Sequence, residues 1–239
     1  MNEKTIADKL ILNGIPFSDD LPEKLYTYLE MLREWNQKMD LTAVSEDEET
    51  VDKHFIDSLT VLHYGIIREN TSLIDVGTGA GFPGMVLAMA MPSIQVTLLD
   101  SQQKRLSFLD ALADRTGVPN VKTIHARAED GARKAELRER FDYAVSRAVA
   151  PLNVLCEYML PYVKIKGYAL CWKGPALKDE MAQGGKAVRL LGGRMEMPVS
   201  CPVEDRDWNH MILPVQKVQA TPVQYPRKAG TPKDKPLGI

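Results

Sequence analysis

The stretch that decides the fold is Leu73-Ile74-Asp75-Val76-Gly77-Thr78-Gly79-Ala80-Gly81-Phe82-Pro83-Gly84. Ser72 to Val76 reads as a strand that runs into a glycine-rich turn, and Pro83 to Met91 reads as the helix leaving it. Glycine has no Cβ to block approach or to forbid positive φ, so a turn of this kind brings backbone close to a ligand of nucleotide type. The spacing GxGxxG occurs at Gly79, Gly81 and Gly84 and taken alone suggests a dinucleotide. The register disagrees, because the glycine that directly follows the strand is Gly77, and counting from it puts Phe82 where the last glycine should fall. Asp75 points the same way. A carboxylate beside the turn repels a pyrophosphate, whereas S-adenosylmethionine has no phosphate and offers a cationic amino group and a sulfonium.

Outward from the turn, short apolar strands alternate with longer amphipathic stretches. Strands are expected at Ile94–Leu99, Val121–Ile124, Phe141–Val145 and Tyr168–Trp172. Helices are expected at Gln102–Thr116 and Leu152–Leu160, with a further one near Lys178–Arg189. Arg194 to Val199 and His210 to Val215 read as a closing hairpin pair, and Pro214 and Pro222 as the points where order weakens. Such alternation signals a parallel sheet covered on both faces, a doubly wound, Rossmann-like α/β domain. Ahead of it, Leu21, Leu25, Tyr28, Leu29, Leu32 and Trp35 recur at helical spacing, with Ser18-Asp19-Asp20 as cap candidates and Pro22 in the first turn. A second helix is expected from Glu48 through Leu62. The chain thus divides into an N-terminal helical extension (1–65), an α/β core (66–220) and a basic C-terminal tail (221–239).

A chain of 239 residues, 44% hydrophobic, can bury one good-sized core. Charged residues interrupt the first twelve positions, and the longest apolar run, Met85 to Met91, is too short to cross a bilayer, so a soluble cytoplasmic protein is expected. Cys156, Cys171 and Cys201 are odd in number and widely spaced, which suggests neither a disulfide framework nor a metal site. The net charge of -2 is uninformative, but its distribution is not. Acids dominate up to Thr50, whereas the tail carries Arg227, Lys228, Lys233 and Lys235 against Asp234, a hint that a polyanion approaches one side. Ordinary solvated surface explains so few charges equally well.

Ligands of parallel α/β sheets sit at the carboxyl ends of the strands. Asp100, with Ser101 and Gln102, closes the second strand, where a carboxylate accepts hydrogen bonds from ribose hydroxyls. Ala126 to Glu129 follows the third strand, and its amides are placed to read an adenine edge; a helix-capping role for Glu129 is the alternative. Ser146-Arg147-Ala148 follows the fourth, where acceptor and methyl group usually meet, and the plain alternative for Arg147 is a surface ion pair. His54, Asp57 and Trp35 read as packing residues joining extension to core. Lys173 has no assigned direction.

These stretches, together with His54-Phe55-Ile56-Asp57-Ser58-Leu59, Trp35-Asn36, Leu41-Thr42-Ala43 and Arg227-Lys228-Ala229-Gly230-Thr231-Pro232, resemble the bacterial small-subunit ribosomal RNA methyltransferase G family, formerly called glucose-inhibited division protein B. The resemblance spans nearly the whole chain. Where the family commonly has asparagine after Trp35-Asn36, this chain has Asp40. It implies a class I methyltransferase sheet and transfer of a methyl group from S-adenosylmethionine to N7 of a guanine in 16S ribosomal RNA. The donor is then expected to contact Asp75, Gly77, Gly79, Phe82, Asp100, Ser101, Gln102, Ala128, Glu129 and Arg147. Arg147 is expected to position and not to move protons, Arg227, Lys228, Lys233 and Lys235 to meet phosphates, and no metal to take part. The partner is 16S rRNA or the 30S subunit, and a monomer is expected. The rival readings are a methyltransferase for another RNA, a small molecule or a protein, and a noncatalytic RNA-binding protein on the same fold.

Overall fold

The computed structural model describes residues 1–37, 41, 46–147, 150–208 and 210–238. Asp40, Thr42, Ala43 and Ala148 lie outside the described residues. The chain opens with α1 (Glu3–Leu12) and α2 (Leu21–Asn36). One helical stretch follows, built of α3 (Asp47–Thr50), a π-helical segment Val51–Ile56 and α4 (Asp57–His63). Strand, turn and helix then alternate through β1 (Ser72–Val76), α5 (Gly84–Ala90), β2 (Gln95–Asp100), α6 (Gln103–Thr116), β3 (Val121–His125), α7 (Ala128–Gly131) and β4 (Phe141–Arg147). After α8 (Leu152–Met159) and a short 3₁₀ turn come β5 (Val163–Lys173), α9 (Leu177–Leu190), β6 (Gly193–Met195), β7 (Val199–Ser200), β8 (Met211–Lys217) and α10 (Thr231–Asp234).

The described strands form one sheet in the order β3-β2-β1-β4-β5-β8-β6, with β7 also paired to β8. β1 to β5 run parallel, and β8 runs antiparallel beside β5. Successive side chains of a strand face opposite sides. Accordingly Leu73 joins the core cluster of the α5 and α6 side, and Ile74 and Val76 join the cluster under α8 and α9. The chain leaves β1 towards β2 on one side and reaches β4 on the other, so the order reverses between β1 and β4. That reversal opens a crevice at their carboxyl ends, the usual ligand position of doubly wound sheets.

The helical extension is continuous with this core. The stripe Leu21, Leu25, Tyr28, Leu29 and Leu32 of α2 is buried in the same cluster as Phe108, Leu109 and Leu112 of α6, and Trp35 meets Phe108 at 5.4 Å between ring centroids. Asp52 in the π-helical segment takes ion pairs from Lys9 (2.8 Å) and Arg206 (2.5 Å), which pin that segment from two sides.

Several local expectations change. The helix expected over Glu48–Leu62 is helical throughout but widened at Val51–Ile56, a feature that recurs near functional sites. Asp20 precedes α2 without a side-chain cap bond, because its carboxylate pairs with Lys24 (2.6 Å) and accepts from Ser18 Oγ (2.6 Å). The fifth strand begins at Val163, five residues before the expected Tyr168. The closing hairpin exists, with its first arm broken into β6 and β7, both on β8. Order does not weaken at Pro214, which lies inside β8 with its carbonyl accepting from Glu196 N (2.9 Å). Nor does it weaken at Pro222: the segment beyond β8 is docked on the core, with Arg138 donating to the carbonyls of Thr221 and Tyr225.

Asn120 gives a test of how the sheet is closed at its amino edge. Its buried amide Nδ2 donates to Ala88 O (3.1 Å), Met91 O (3.3 Å) and Ile94 O (2.9 Å), satisfying the carbonyls that turn the chain from α5 into β2. Asn120→Ala strands those acceptors and is expected to cost about 1–3 kcal/mol of stability, read as a lowered urea midpoint at unchanged slope.

Candidate functional site

The glycine turn is wired internally. Gly77 N (2.8 Å) and Thr78 N (3.1 Å) both donate to Leu99 O, the carbonyl before Asp100. Gly79 N donates to Asp100 Oδ2 (2.9 Å), Gly81 N to Thr78 O (2.9 Å) and Gly84 N to Asp75 Oδ2 (2.8 Å). Amides that cradle a phosphate elsewhere are thus occupied by acceptors of this chain, two of them carboxylates. Gly81 and Gly84 are required by packing. At Gly81 φ is +104° and a Cβ would collide with the Tyr28 hydroxyl, which donates to Ala80 O; at Gly84 a Cβ would lie 2.7 Å from that of Asp75.

Asp75 therefore sits beneath the turn and is fully buried. Its Oδ2 also accepts from Thr78 Oγ1 (2.8 Å), while Oδ1 has no hydrogen-bond partner. Burial pushes its pKa up to about 7, against the lowering effects of Thr78, Gly84 and Arg147. Asp100, 3% exposed, holds Gly79 and also accepts from Gln102 N (2.8 Å) at Oδ1, with Arg105 at 3.5 Å.

Two cavities meet at this turn. One, of about 410 Å³, is lined by Gly77, Asp100, Ser101, Ala128, Glu129 and Arg147, with Tyr158, Gly230 and Lys233 among the residues of its other wall. The other, of about 620 Å³, is lined by Gly77, Gly79, Phe82, His54, Asp57, Lys53, Arg147, Trp172, Lys173, Glu180 and His210, among others. Gly77 and Arg147 belong to both. Among the residues expected to contact the donor, Asp75 and Gln102 line neither.

Arg147, the last residue of β4, is held from the helical extension. Its Nη1 donates to Lys53 O (2.5 Å) and Asp57 Oδ2 (2.9 Å), and its Nη2 donates to His54 Nδ1 (2.7 Å). Asp57 in turn accepts from His210 Nδ1 (2.6 Å), and its carbonyl accepts from Trp172 Nε1 (3.3 Å). The His54 ring stacks on Phe82 (4.6 Å, 14°), Phe82 stacks on Tyr28 (5.4 Å, 12°), and the Arg147 guanidinium lies 5.4 Å from the Phe82 centroid. Burial, then Arg147 and Lys53, lower the His54 pKa to about 3. A guanidinium only donates, so the neutral ring accepts at Nδ1 and carries its proton on Nε2.

Lys173 faces the larger cavity, where its Nζ donates to Ala150 O (2.9 Å) and pairs with Glu180 Oε2 (2.6 Å). Glu129, in the first turn of α7, accepts from Gly230 N (2.8 Å). Arg227 is bidentate to the buried Glu157 (2.9 and 2.7 Å), while Lys228 and Lys235 are exposed. The sequence favours a packing role for His54 and Asp57 and does not single out Lys53, Glu180, His210 or Tyr158. The one local signal was the spacing of His54 and Asp57, which puts them on one helix face.

The residues fit S-adenosylmethionine: open space above Gly79, acceptors at Asp100 and Ser101, and no free run of amides for a phosphate. Comparisons with known proteins agree. Residues 21–209 match the family model GidB, rRNA small subunit methyltransferase G. The chain is 46% identical over 224 residues to ribosomal RNA small subunit methyltransferase G of Clostridium perfringens and 47% identical to that of Clostridium botulinum, each alignment covering 94% of both chains. A solved 16S rRNA (adenine(1408)-N(1))-methyltransferase of Catenulisporales acidiphilia, with cosubstrate SAM, has the same fold at 16% identity and a TM-score of 0.53 over 64% of this chain and 88% of that one.

Two outcomes follow from the electrostatics. The His54 ring signals should not titrate between about pH 5 and 8 in an NMR series; a midpoint near the ordinary imidazole value would contradict the buried, arginine-bonded ring. Asp75, raised from 3.8 to about 7, keeps its proton in the folded state where the unfolded chain has lost it, so its contribution to stability is lost as pH rises through about 7. A cationic ligand above the turn lowers that pKa. Binding of the sulfonium donor should therefore release a proton near pH 6 to 7, seen in calorimetry as a heat that varies with the buffer's ionisation enthalpy.

Proposed function

The chain belongs to the rRNA small subunit methyltransferase G (GidB) family, an S-adenosylmethionine-dependent methyltransferase of ribosomal RNA, and on that premise we propose that it methylates N7 of a guanine in 16S rRNA. The observation that carries this reading is the meeting of two cavities at Gly77 and Arg147, with no unengaged carboxylate among the described residues of the larger one. Asp57 is held by Arg147 and His210, and Glu180 by Lys173 and Leu152 N. A guanine N7 bears an unprotonated lone pair at neutral pH, so the transfer itself requires no general base.

Bound S-adenosylmethionine supplies the electrophilic methyl group. The chain's own task is alignment, worth orders of magnitude when reacting atoms are held in line. In this proposal the smaller cavity takes the adenosine end, with Asp100 and Ser101 at the ribose and Ala128 and Glu129 at the base. Gly77, Gly79 and Phe82 face the methyl end. Gln102 acts through Asp100, and Asp75 acts electrostatically from beneath the turn. The larger cavity takes the target base, and Arg147, locked by Lys53, His54 and Asp57, fixes the wall common to both. Lys228 and Lys235 are the tail residues proposed to meet phosphates; Arg227 serves the fold through Glu157. The division into extension (1–65), core (66–220) and tail (221–239), 16S rRNA or the 30S subunit as acceptor, the monomeric state and the cytoplasmic location belong to the same proposal. No helix among the described residues is long and apolar enough to cross a membrane.

Incubation of the protein with 30S subunits and methyl-labelled donor, followed by mapping of the labelled base, tests the reading. A 7-methylguanine in 16S rRNA is the expected product, and label on another atom or on protein overturns it. Arg147→Ala should lower the rate of methylation about a hundredfold or more while the chain stays folded, and Arg147→Lys, which cannot hold three partners in one plane, should recover little of it.

A further inference from the structure

The segment after β8 reads in sequence as a basic arm, yet it is built into the donor cavity. Arg227 anchors it: the backbone N (2.8 Å) and Nε (2.9 Å) donate to Glu157 Oε1 and Nη2 donates to Oε2 (2.7 Å), on a glutamate with a fully buried side chain. Arg133 donates to Pro226 O (2.5 Å) just upstream, and Asn153 Nδ2 donates to Leu237 O (3.3 Å) beyond α10, whose Pro232 is buried. Between these anchors Gly230 turns with φ +89°, and its N–H meets Glu129 Oε1 at 2.8 Å. A carboxylate that is only 5% exposed needs a donor, and here the tail supplies one. Gly230 and Lys233 then line the 410 Å³ cavity together with Asp100, Ser101 and Ala128.

We infer that the C-terminal segment 221–238 is a wall of the methyl-donor cavity, with Gly230 locking Glu129 and Lys233 closing the adenosine end. This rests on the assignment of that cavity to the adenosine moiety. A nucleoside seated between the strand ends and this segment gains contacts that the strand ends alone do not offer, so loss of those contacts loosens the donor. The effect therefore falls on donor affinity and dissociation, before any RNA is present.

The test measures S-adenosylhomocysteine binding to the full-length protein by calorimetry and its dissociation rate by stopped flow. Lys233→Ala alters an exposed side chain and should keep the parent's thermal midpoint, whereas Gly230→Ala strains φ +89° without a clash, an added Cβ meeting no atom within 4 Å, and should fold with a modestly lowered midpoint. Each is expected to weaken binding about fivefold or more, chiefly through faster dissociation. Asp100→Asn, at the strand-end part of the same lining, serves as the reference. If Asp100→Asn weakens binding and neither tail variant does, the wall inference is overturned while the cavity assignment stands; if none of the three does, the cavity assignment itself fails. A tail variant whose only defect is in 30S binding also overturns the inference, because it returns the segment to a purely RNA-facing role.

Discussion

Two carboxylates hold the glycine turn, and most of what this protein can bind follows from that. Asp75 Oδ2 takes the Gly84 amide at the start of α5, and Asp100 Oδ2 takes the Gly79 amide at the crest of the turn, while Leu99 O takes Gly77 and Thr78. The turn is rigid because its amides are satisfied from within the chain, and it is unsuited to phosphate for the same reason. The Asp100 carboxylate lies beside it, so the field above Gly77 favours a cation, and Asp75 beneath it adds to that field once it gives up its proton. A buried acid with an unpaired oxygen is costly to keep, and part of that cost is relieved by the proton it retains at ordinary pH.

The second constraint comes from far away in sequence. Arg147 ends β4, but its direction is set by Lys53, His54 and Asp57 in the helical extension, and Asp57 is fixed in turn by His210 from the loop before β8. An arginine with only 14% of its side chain exposed needs paired and hydrogen-bonded partners, and the π-helical segment brings His54 and Asp57 round to provide them. The extension is therefore part of the site and not only a cover over apolar surface. Neutral His54, stacked on Phe82, transmits its position directly to the turn.

The sheet and its ligand crevice were legible because they rest on local, periodic signals. Apolar runs broken by amphipathic stretches give the strand alternation, and Asp75, Gly77 and Asp100 lie within one strand-turn-helix-strand unit. What sequence did not carry is contact across distance. Nothing near Arg147 indicates that its partners lie some ninety positions upstream, nor does Arg227 disclose that Glu157 awaits it. Charge counting therefore offers Arg227 as a candidate for a polyanion with no sign that Glu157 already engages it. Pro214 misled for a related reason: a proline weakens a strand when its missing N–H is needed, and here its carbonyl is the group in use, with Glu196. Asp75 was read as facing the ligand because its place beside the turn is plain from sequence, whereas the side of the turn it points to depends on how α5 packs.

The most direct test is a parallel calorimetric titration of the protein with S-adenosylhomocysteine and with NAD. Saturable one-to-one binding of the sulfur nucleoside, with no measurable heat from the dinucleotide, is the result this account requires. Saturable binding of NAD without that of S-adenosylhomocysteine would contradict it, since it would mean that the amides of Gly77 and Gly79 leave Leu99 and Asp100 to serve a pyrophosphate.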